Sequence, residues 1–218
     1  MPGGPVRTGV AHRTPRHLHR PHSRGATAVT LLHIAADTDP ADVRLHTTDP
    51  ERIAAELATR GIVFDRWPAE AVTADIASEE ILARYRDRIG DLNADGRYRH
   101  IDLARLHPDD SDPQWPEQAS AARQKFLSEH RHAEDEVRFF VSGRGCFYLH
   151  LEPEVVAVVC EGGDLVSVPA GTRHWFDMGT RPDFVAIRFF EEADGWIGDF
   201  TGDPIAQGFP TLDELVAA

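Results

Sequence analysis

The sequence predicts a mainly β fold, an antiparallel sandwich or barrel with helices in its N-terminal part. From His130 onward, short apolar segments alternate with turns that contain Gly or Pro. This spacing is typical of antiparallel strands and not of a parallel α/β sheet. The chain has 218 residues, of which 41% are hydrophobic, and this is sufficient for one core. We therefore expect a single domain over residues 29–218 that follows a tail over residues 1–28.

The composition disfavours several classes of partner. The formal net charge is −13 at pH 7, whereas binding to a phosphate backbone requires a basic surface. No apolar run approaches the ~20 residues that a membrane-spanning helix needs, so neither nucleic acid nor a membrane is expected. Cys146 and Cys160 are too few for a disulfide framework. Two buried thiols in a reducing cytoplasm are the simpler interpretation, and a pairing across neighbouring strands is the alternative.

The first 28 residues have a composition of their own. They are rich in Arg, His, Pro and Gly and contain no acidic residue. Because such a segment buries little apolar surface, a disordered basic tail is expected. The tail lacks the apolar core of a secretory signal, although its Arg-rich composition has a superficial likeness to a transit peptide. A solvated tail, or an upstream start codon that is not used, is the simpler interpretation.

The first half of the domain combines short strands with helices. Residues 29–34 (VTLLHI) predict a strand. A helix is expected to begin at Thr48, because Pro50 and Glu51 follow in its first turn, and to end at Gly61. The further elements are a strand over residues 62–67, a helix over 78–92, a strand over 98–106 and a helix over 117–127.

The second half is predicted to consist of strands, with one short helix from about residue 212. The predicted turns are Gly143-Arg144-Gly145, Gly162-Gly163 and Pro169-Ala170-Gly171. The predicted strands are residues 136–141, 146–151, 155–159, 165–168, 174–177 and 184–190.

The stretch HRHAEDEVRFF carries the candidate metal ligands. In an extended chain, His130, His132, Glu136 and Arg138 share one face. Imidazole and carboxylate ligands suit Fe, Ni, Mn or Zn, and three imidazoles with one carboxylate leave two positions of an octahedral site open. The third imidazole is that of His174, which follows Glu136 by 38 positions.

Several other residues have simpler interpretations. Glu134 has the same parity as Glu136 and is the local alternative, since a turn before the strand makes parity unreliable there. The remaining histidines of the domain are interpreted as surface or satisfied core residues: His33, His46, His100, His107 and His150.

Two motif spacings indicate a family. His130-x-His132-x3-Glu136-x6-Gly143 and Gly163-x5-Pro169-x-Gly171-x2-His174 match, in order, the two motifs of the cupin barrels. Met178 stands where the second motif usually has asparagine, so this position departs from the pattern. The runs EHRHAEDEVRFFVSGRGCFYLH, CEGGDLVSVPAGTRHWFDMG and AIRFFEEADGW closely resemble the acireductone dioxygenase family, the cupins of methionine salvage. From about residue 28 to the C-terminus, the resemblance implies a cupin-type β-barrel or jelly roll.

The resemblance also implies roles for individual residues. One Fe(II) or Ni(II) per chain is expected, and Arg138 occupies the position that generates or holds the substrate dianion; a structural ion pair is the alternative. Glu129 matches a position associated with metal loading, with a solvated charge as the alternative. The implied metal ligands are His130, His132, Glu136 and His174. The implied aromatic residues of the substrate pocket, for which core packing is the alternative, are Phe126, Phe176 and Trp196.

The implied reaction is cleavage of an acireductone by O2. With iron, the implied products are formate and 2-keto-4-methylthiobutanoate; with nickel they are formate, carbon monoxide and 3-methylthiopropanoate. The expected partners are therefore a small-molecule acireductone and O2, and a monomer is expected. Another cupin metalloenzyme, or a non-catalytic cupin that binds a small ligand, are the alternative interpretations.

Overall fold

A computed structural model of the chain describes residues 29–73 and 75–218. The predicted disordered tail, residues 1–28, lies outside the described residues. Within them, the mainly β prediction is confirmed, since eleven mostly antiparallel strands form one connected sheet and the helices are short. In the described ranges, no helix is long and apolar enough to cross a membrane.

The strands and helices follow one another with short connections. In chain order they are β1 (Leu31–Ala36), β2 (Asp39–Thr47), α1 (Pro50–Thr59), β3 (Val63–Arg66), α2 (Ser78–Arg84), α3 (Arg86–Leu92), β4 (His100–Leu106), α4 (Trp115–Gln124), β5 (His130–Arg131), β6 (Glu136–Leu151), β7 (Glu154–Glu161), β8 (Asp164–Val168), β9 (Arg173–Asp177), β10 (Phe184–Phe190), β11 (Asp199–Phe200) and α5 (Leu212–Ala217), with a 3-10 turn (Ile205–Gly208) before α5.

Strand β6 organises the barrel because it pairs with four other strands. Its first half lies between β8 and β10, and its second half lies between β7 and β9. The sequence predicted two strands separated by a turn at residues 143–145, and this prediction is wrong, because the chain bends there and continues. Gly143 has a φ of +69°, and a Cβ at this position would lie 1.9 Å from the carbonyl oxygen of Asp183. Only glycine fits this close approach, which lets β6 pass from one side of the barrel to the other.

Three apolar clusters hold the helices outside the barrel. The largest fills the barrel interior with aliphatic and aromatic side chains and also includes Ile53 and Leu57 of α1. A second packs α2 and α3 against the outer face of β6 and β10. A third packs α5 against Tyr148 and Trp175, whose rings stack at an interplanar angle of 7°. The helices therefore cover the outside of the barrel, and the side chains of the largest cluster leave a cavity inside it.

Several predicted boundaries change in the structure. The N-cap of α1 is Asp49 and not Thr48, because the Asp49 carboxylate accepts the backbone N–H groups of Glu51 and Arg52. The helix predicted over residues 78–92 is divided into α2 and α3 at Tyr85, whose hydroxyl accepts the backbone N–H of Glu70. Strand β2, which is mostly exposed, and the two-residue strands β5 and β11 were not predicted. Strands without an apolar pattern are fixed by tertiary pairing, which no local signal shows.

Candidate metal centre

Short strands bring the candidate ligands together from distant parts of the chain. His130 on β5 pairs with His174 on β9, and β9 also pairs with β6, where Leu149 lies opposite His174. Glu136 is the first residue of β6. Residues 132–135 lie outside any strand, so His130 is on β5, His132 follows directly after it, and the carboxylate of Glu136 comes from a separate strand after a bend.

The three imidazoles form a buried cluster. His130 and His174 are each 2% exposed, and His132 is 7% exposed. Their ring centroids are 4.5 to 5.2 Å apart, and one nitrogen of each ring lies within 4.8 Å of the others. This spacing is suitable for a single ion bound by all three rings.

The backbone fixes which nitrogen of each ring faces the centre. Nδ1 of His130 lies 2.8 Å from the carbonyl oxygen of Ser128, and Nδ1 of His174 lies 2.8 Å from that of Thr172. Nδ1 of His132 is 3.0 Å from the carbonyl oxygen of Ile197. A carbonyl oxygen only accepts, so each Nδ1 carries the proton and donates it, and each Nε2 keeps a lone pair for a metal.

Glu136 completes the donor set. Its Oε2 is 2.7 Å from Nε2 of His174 and 3.6 Å from Nε2 of His132. Neither Oε2 of Glu136 nor Nε2 of His174, both buried, has a hydrogen-bond partner among the described residues. Two lone pairs at this distance repel unless a proton or a cation lies between them. The three nitrogens and one oxygen therefore fit a first-row metal ion.

The charges of the site support this interpretation. Burial, reinforced by His174, lowers the pKa of His130 to about 4, so that its ring is neutral at pH 7. Burial alone would raise the pKa of Glu136, but Arg138 and His174 outweigh it and hold the carboxyl well below its usual range. Burial likewise opposes protonation of His174, but Glu136 outweighs it and raises the pKa of that ring. An ion bound here therefore competes with a proton on His174.

Arg138 lies beside the ligand carboxylate. Its guanidinium is 2.9 Å from Oε1 of Glu136, donates to the carbonyl oxygen of Val137 and lies over the ring of Phe190. The side chain is 11% exposed and forms part of the cavity wall. The predicted structural ion pair is present, and the same guanidinium faces the space in which a ligand would lie.

A cavity of about 380 Å³ adjoins the metal centre. His130, His132 and Glu136 line one part of it together with basic side chains. The predicted aromatic residues Phe126, Phe176 and Trp196 all line the same cavity, although Trp196 is 45% exposed. The cavity therefore combines a charged part with an apolar part. Further aromatic residues in its wall, which were not predicted, are Phe140, Phe147 and Phe184.

Glu129 and Glu134, two other carboxylates near the imidazoles in the sequence, point elsewhere. Glu134 accepts the backbone N–H groups of Glu191 and Glu192 through its Oε2, so the structure brings Glu136 and not Glu134 to the imidazoles. Glu129 is 1% exposed, and its interpretation as a solvated charge is wrong. Its carboxylate lies 2.5 Å from Nδ1 of His150 and accepts a hydrogen bond from Thr201.

A model of the ARD/ARD' family matches residues 32–198 of the chain. The chain belongs to this family. It is 70% identical to acireductone dioxygenase 2 of Nocardia farcinica over 190 residues, which are 87% of this chain and 100% of the relative. It is 57% identical to acireductone dioxygenase 1 of the same organism, over 86% of this chain and 100% of that relative.

A solved structure also resembles this ARD/ARD' chain. It is described as acireductone dioxygenase from Bacillus anthracis with a cadmium ion in its active center, and it matches with a TM-score of 0.65 and 29% identity. The match covers 80% of this chain and all of the other. The predicted cupin fold and the family resemblance are both confirmed.

Some site residues of this ARD/ARD' chain were missed, although the sequence carries a signal for part of them. Glu136, Arg138 and Phe140 follow the alternation of a strand, so period two extended by one step would have placed Phe140 in the cavity. On β10, Phe184, Ala186 and Arg188 alternate in the same way, and all three line the cavity. Ala122 and Lys125, at the end of α4, also line the cavity. Their position depends on how the helix packs, which the alternation of side chains along a strand does not indicate.

The two cysteines are free and buried, as the simpler interpretation predicted. Cys146 packs in the cluster around Trp175, whereas Cys160 packs in the barrel interior. Burial raises the pKa of both thiols well above the usual value, so neither is a reactive thiolate.

Proposed function

We propose that this chain is a metal-dependent dioxygenase that cleaves 1,2-dihydroxy-3-keto-5-methylthiopentene, an acireductone, with O2 in methionine salvage. The observation that carries the proposal is the convergence of three imidazole nitrogens and one carboxylate beside an aromatic cavity, in a chain of the ARD/ARD' family. Imidazoles whose Nδ1 atoms are fixed by carbonyl oxygens are preorganised as ligands through Nε2.

The proposed ligands of one Fe(II) or Ni(II) ion are His130, His132, Glu136 and His174. The cadmium ion in the active center of the Bacillus relative supports a metal at the corresponding centre. When bound, the ion supplies Lewis-acid stabilisation of the anionic enediol oxygens and fixes their geometry. Four protein ligands leave two positions open in an octahedral site, which suits a substrate that chelates through two oxygens.

Arg138 is proposed to hold the substrate as a dianion. Its guanidinium is fixed at one end by Glu136 and the carbonyl oxygen of Val137, so the remaining N–H groups have a defined direction. A fixed cation in a buried cavity lowers the pKa of an adjacent acid and therefore favours loss of the second enediol proton. The dianion is the electron-rich form that reacts with O2.

The aromatic wall is proposed to bind the methylthio tail and to exclude water. Phe126 and Phe176 are half-buried, and the backbone N–H of Phe176 donates to the carbonyl oxygen of Phe126, so the two are fixed relative to each other. Sulfur packs favourably against ring edges, and a dry cavity strengthens the interaction between Arg138 and the enediolate. Trp196, at the outer side of the cavity, is in contact with the solvent.

The same four ligands serve both metals, and each metal has its own product set. We propose formate and 2-keto-4-methylthiobutanoate for the iron form, and formate, carbon monoxide and 3-methylthiopropanoate for the nickel form. A role for Glu129 in metal loading is also proposed, since it adjoins His130 and its backbone carbonyl accepts the N–H of Thr201. The proposed state is a monomer in the cytoplasm. Light scattering of the purified protein tests the oligomeric state, and fractionation of cells tests the location.

The test is reconstitution of metal-free protein with Fe(II) or Ni(II), followed by addition of the acireductone under O2. We expect loss of the ultraviolet absorbance of the substrate with both metals, and carbon monoxide with nickel only. Metal retention without turnover would favour another cupin metalloenzyme, and substrate binding without O2 consumption would favour a non-catalytic cupin.

A matched pair of variants tests the carboxylate ligand. Glu136→Gln is expected to lose bound metal and turnover, because an uncharged amide is a weaker ligand than a carboxylate. Glu134→Gln, two positions away, is expected to retain both, since its amide oxygen still accepts the N–H groups of residues 191 and 192. Equal metal content in the two variants would refute the assignment of Glu136.

A further inference from the structure

A second cavity lies next to the one that contains the metal centre. Its volume is about 650 Å³, and its lining includes the charged side chains of Arg144, Glu161 and Asp183. Met178 lines both cavities, and it is the one residue of the described chain that the two linings share. Met178 is 4% exposed and belongs to the apolar cluster that fills the barrel interior. Its side chain therefore forms part of the wall between the two spaces.

The position of Met178 along the chain relates it directly to the metal centre. His174, Phe176 and Met178 alternate along β9 and its extension, and all three contribute to the site or to the cavity wall. Four residues of strand span about 13 Å. One face of β9 thus presents a proposed metal ligand, an aromatic wall and then Met178, in order of increasing distance from the metal.

The backbone on both sides of Met178 is held firmly. The buried carboxylate of Asp177 accepts two hydrogen bonds from the guanidinium of Arg123, at 2.7 and 2.9 Å. It also accepts the backbone N–H groups of Gly179 and Leu212, at 2.8 and 2.9 Å. Gly179 has a φ of +79°, which turns the chain away directly after Met178. The residue is therefore fixed in position although it follows the end of the strand.

We propose that Met178 is the specificity-determining floor of the substrate pocket. It ends the apolar part of the cavity and thereby limits the length of the acireductone tail. This inference rests on the proposed function. The enediolate is held at the metal and at Arg138, so the tail has a fixed starting point and its free end extends toward Met178. A longer tail meets the Met178 side chain, and beyond that side chain lies the second cavity, which has room for more chain.

The experiment uses acireductones that share one enediol head and carry unbranched tails lengthened by one methylene at a time. For the wild-type protein, kcat/KM is expected to fall steeply beyond the length of the methylthioethyl tail, on the order of tenfold for each methylene that no longer fits. Met178→Ala removes every heavy atom beyond Cβ and so lengthens the apolar part of the cavity. In this variant, kcat/KM is expected to fall only at tails longer than those at which it falls in the wild-type protein. Anaerobic titration of the metal-loaded protein is expected to show the same shift in Kd, which separates tail binding from the chemistry.

Two control variants isolate the effect. Met178→Leu keeps a similar volume and is expected to keep the wild-type dependence on tail length. Val216→Ala enlarges only the second cavity, which Val216 lines, and is expected to change nothing. If Met178→Ala does not fold, as a thermal melt would show, Met178→Val is expected to give a smaller shift in the same direction.

The outcomes separate this inference from the proposed function. An absence of turnover of every acireductone by the loaded wild-type protein would contradict the proposed function. Turnover of the short acireductones with the same length dependence in the wild-type, Met178→Val and Met178→Ala proteins would overturn the role of Met178 alone. A wild-type protein that accepts much longer tails without loss of kcat/KM would also overturn it, whatever the variants do.

Discussion

Replacement of Arg138 by alanine should separate metal binding from catalysis. Arg138 contacts Glu136 at 2.9 Å but supplies no proposed ligand atom, so the variant is expected to retain its metal. A cation next to an acid lowers the pKa of that acid by about 1–3 units. Without Arg138, the second enediol proton is therefore retained until the pH is higher by about the same amount. Each unit corresponds to about 1.4 kcal/mol, so the rate at neutral pH should fall about 10- to 1,000-fold.

The assay for Arg138→Ala is the pH profile of kcat/KM together with metal analysis. We expect the acidic limb of the profile to move to higher pH and the activity to recover partly in alkaline buffer. Arg144→Ala is the matched control, because Arg144 lies on the same strand but pairs with Glu161 outside the substrate cavity. An Arg138→Ala protein with wild-type metal content and an unshifted pH profile would refute the role in dianion formation.

Three further predictions concern the metal and the stability of the fold. His174→Ala should lose both metal and turnover, as elemental analysis and the absorbance assay would show; full activity in this variant would refute the ligand assignment. Gly143→Ala should lower the free energy of unfolding in denaturant by at least about 2 kcal/mol, because the new Cβ meets a backbone carbonyl. The control is Gly96→Ala, also at positive φ but with nothing within 4 Å of its Cβ, which should lower it by only about 1 kcal/mol. Equal losses in the two variants would contradict the steric reason. Burial raises the pKa of Glu161 to about 7, so the folded state binds this proton more tightly than the unfolded state does, and stability should decline as the pH rises from about 4.5 to about 7. Glu161→Gln should remove that part of the decline in thermal melts, and an unchanged pH dependence would count against the shift.

The sequence was sufficient to predict which side chains come together in most of the candidate site, because the spacing of the proposed ligands has a structural cause. Two histidines one residue apart, a carboxylate after a short bend and a remote histidine on a paired strand produce one cluster whenever the strands pair in this register. The position of Arg138 beside Glu136 was predicted from the alternation of side chains along the strand. The departure at Met178 was visible in the sequence, but its position between two cavities depends on the anchoring of Asp177 by Arg123, more than fifty residues away.

The parts that were not predicted depend on contacts between distant segments. Glu129 appeared to be a solvated charge, because nothing near it in the sequence indicates that His150 and Thr201 enclose its carboxylate. The break predicted in β6 came from its glycines, which normally mark turns. Here Gly143 permits the close approach of the chain before β10, and the strand continues. Local patterns indicate turn residues, and the tertiary environment decides whether the strand ends there.

The central claim is that three imidazoles and one carboxylate hold one metal ion with two adjacent positions free. X-ray absorption spectroscopy of the Fe(II)- or Ni(II)-loaded protein, with and without the acireductone under nitrogen, tests it most directly. We expect scattering from three imidazoles, with light-atom ligands completing six-coordination, and replacement of two of those ligands by substrate oxygens without loss of an imidazole. A spectrum with fewer than three imidazoles, or one that the substrate leaves unchanged, would contradict the account.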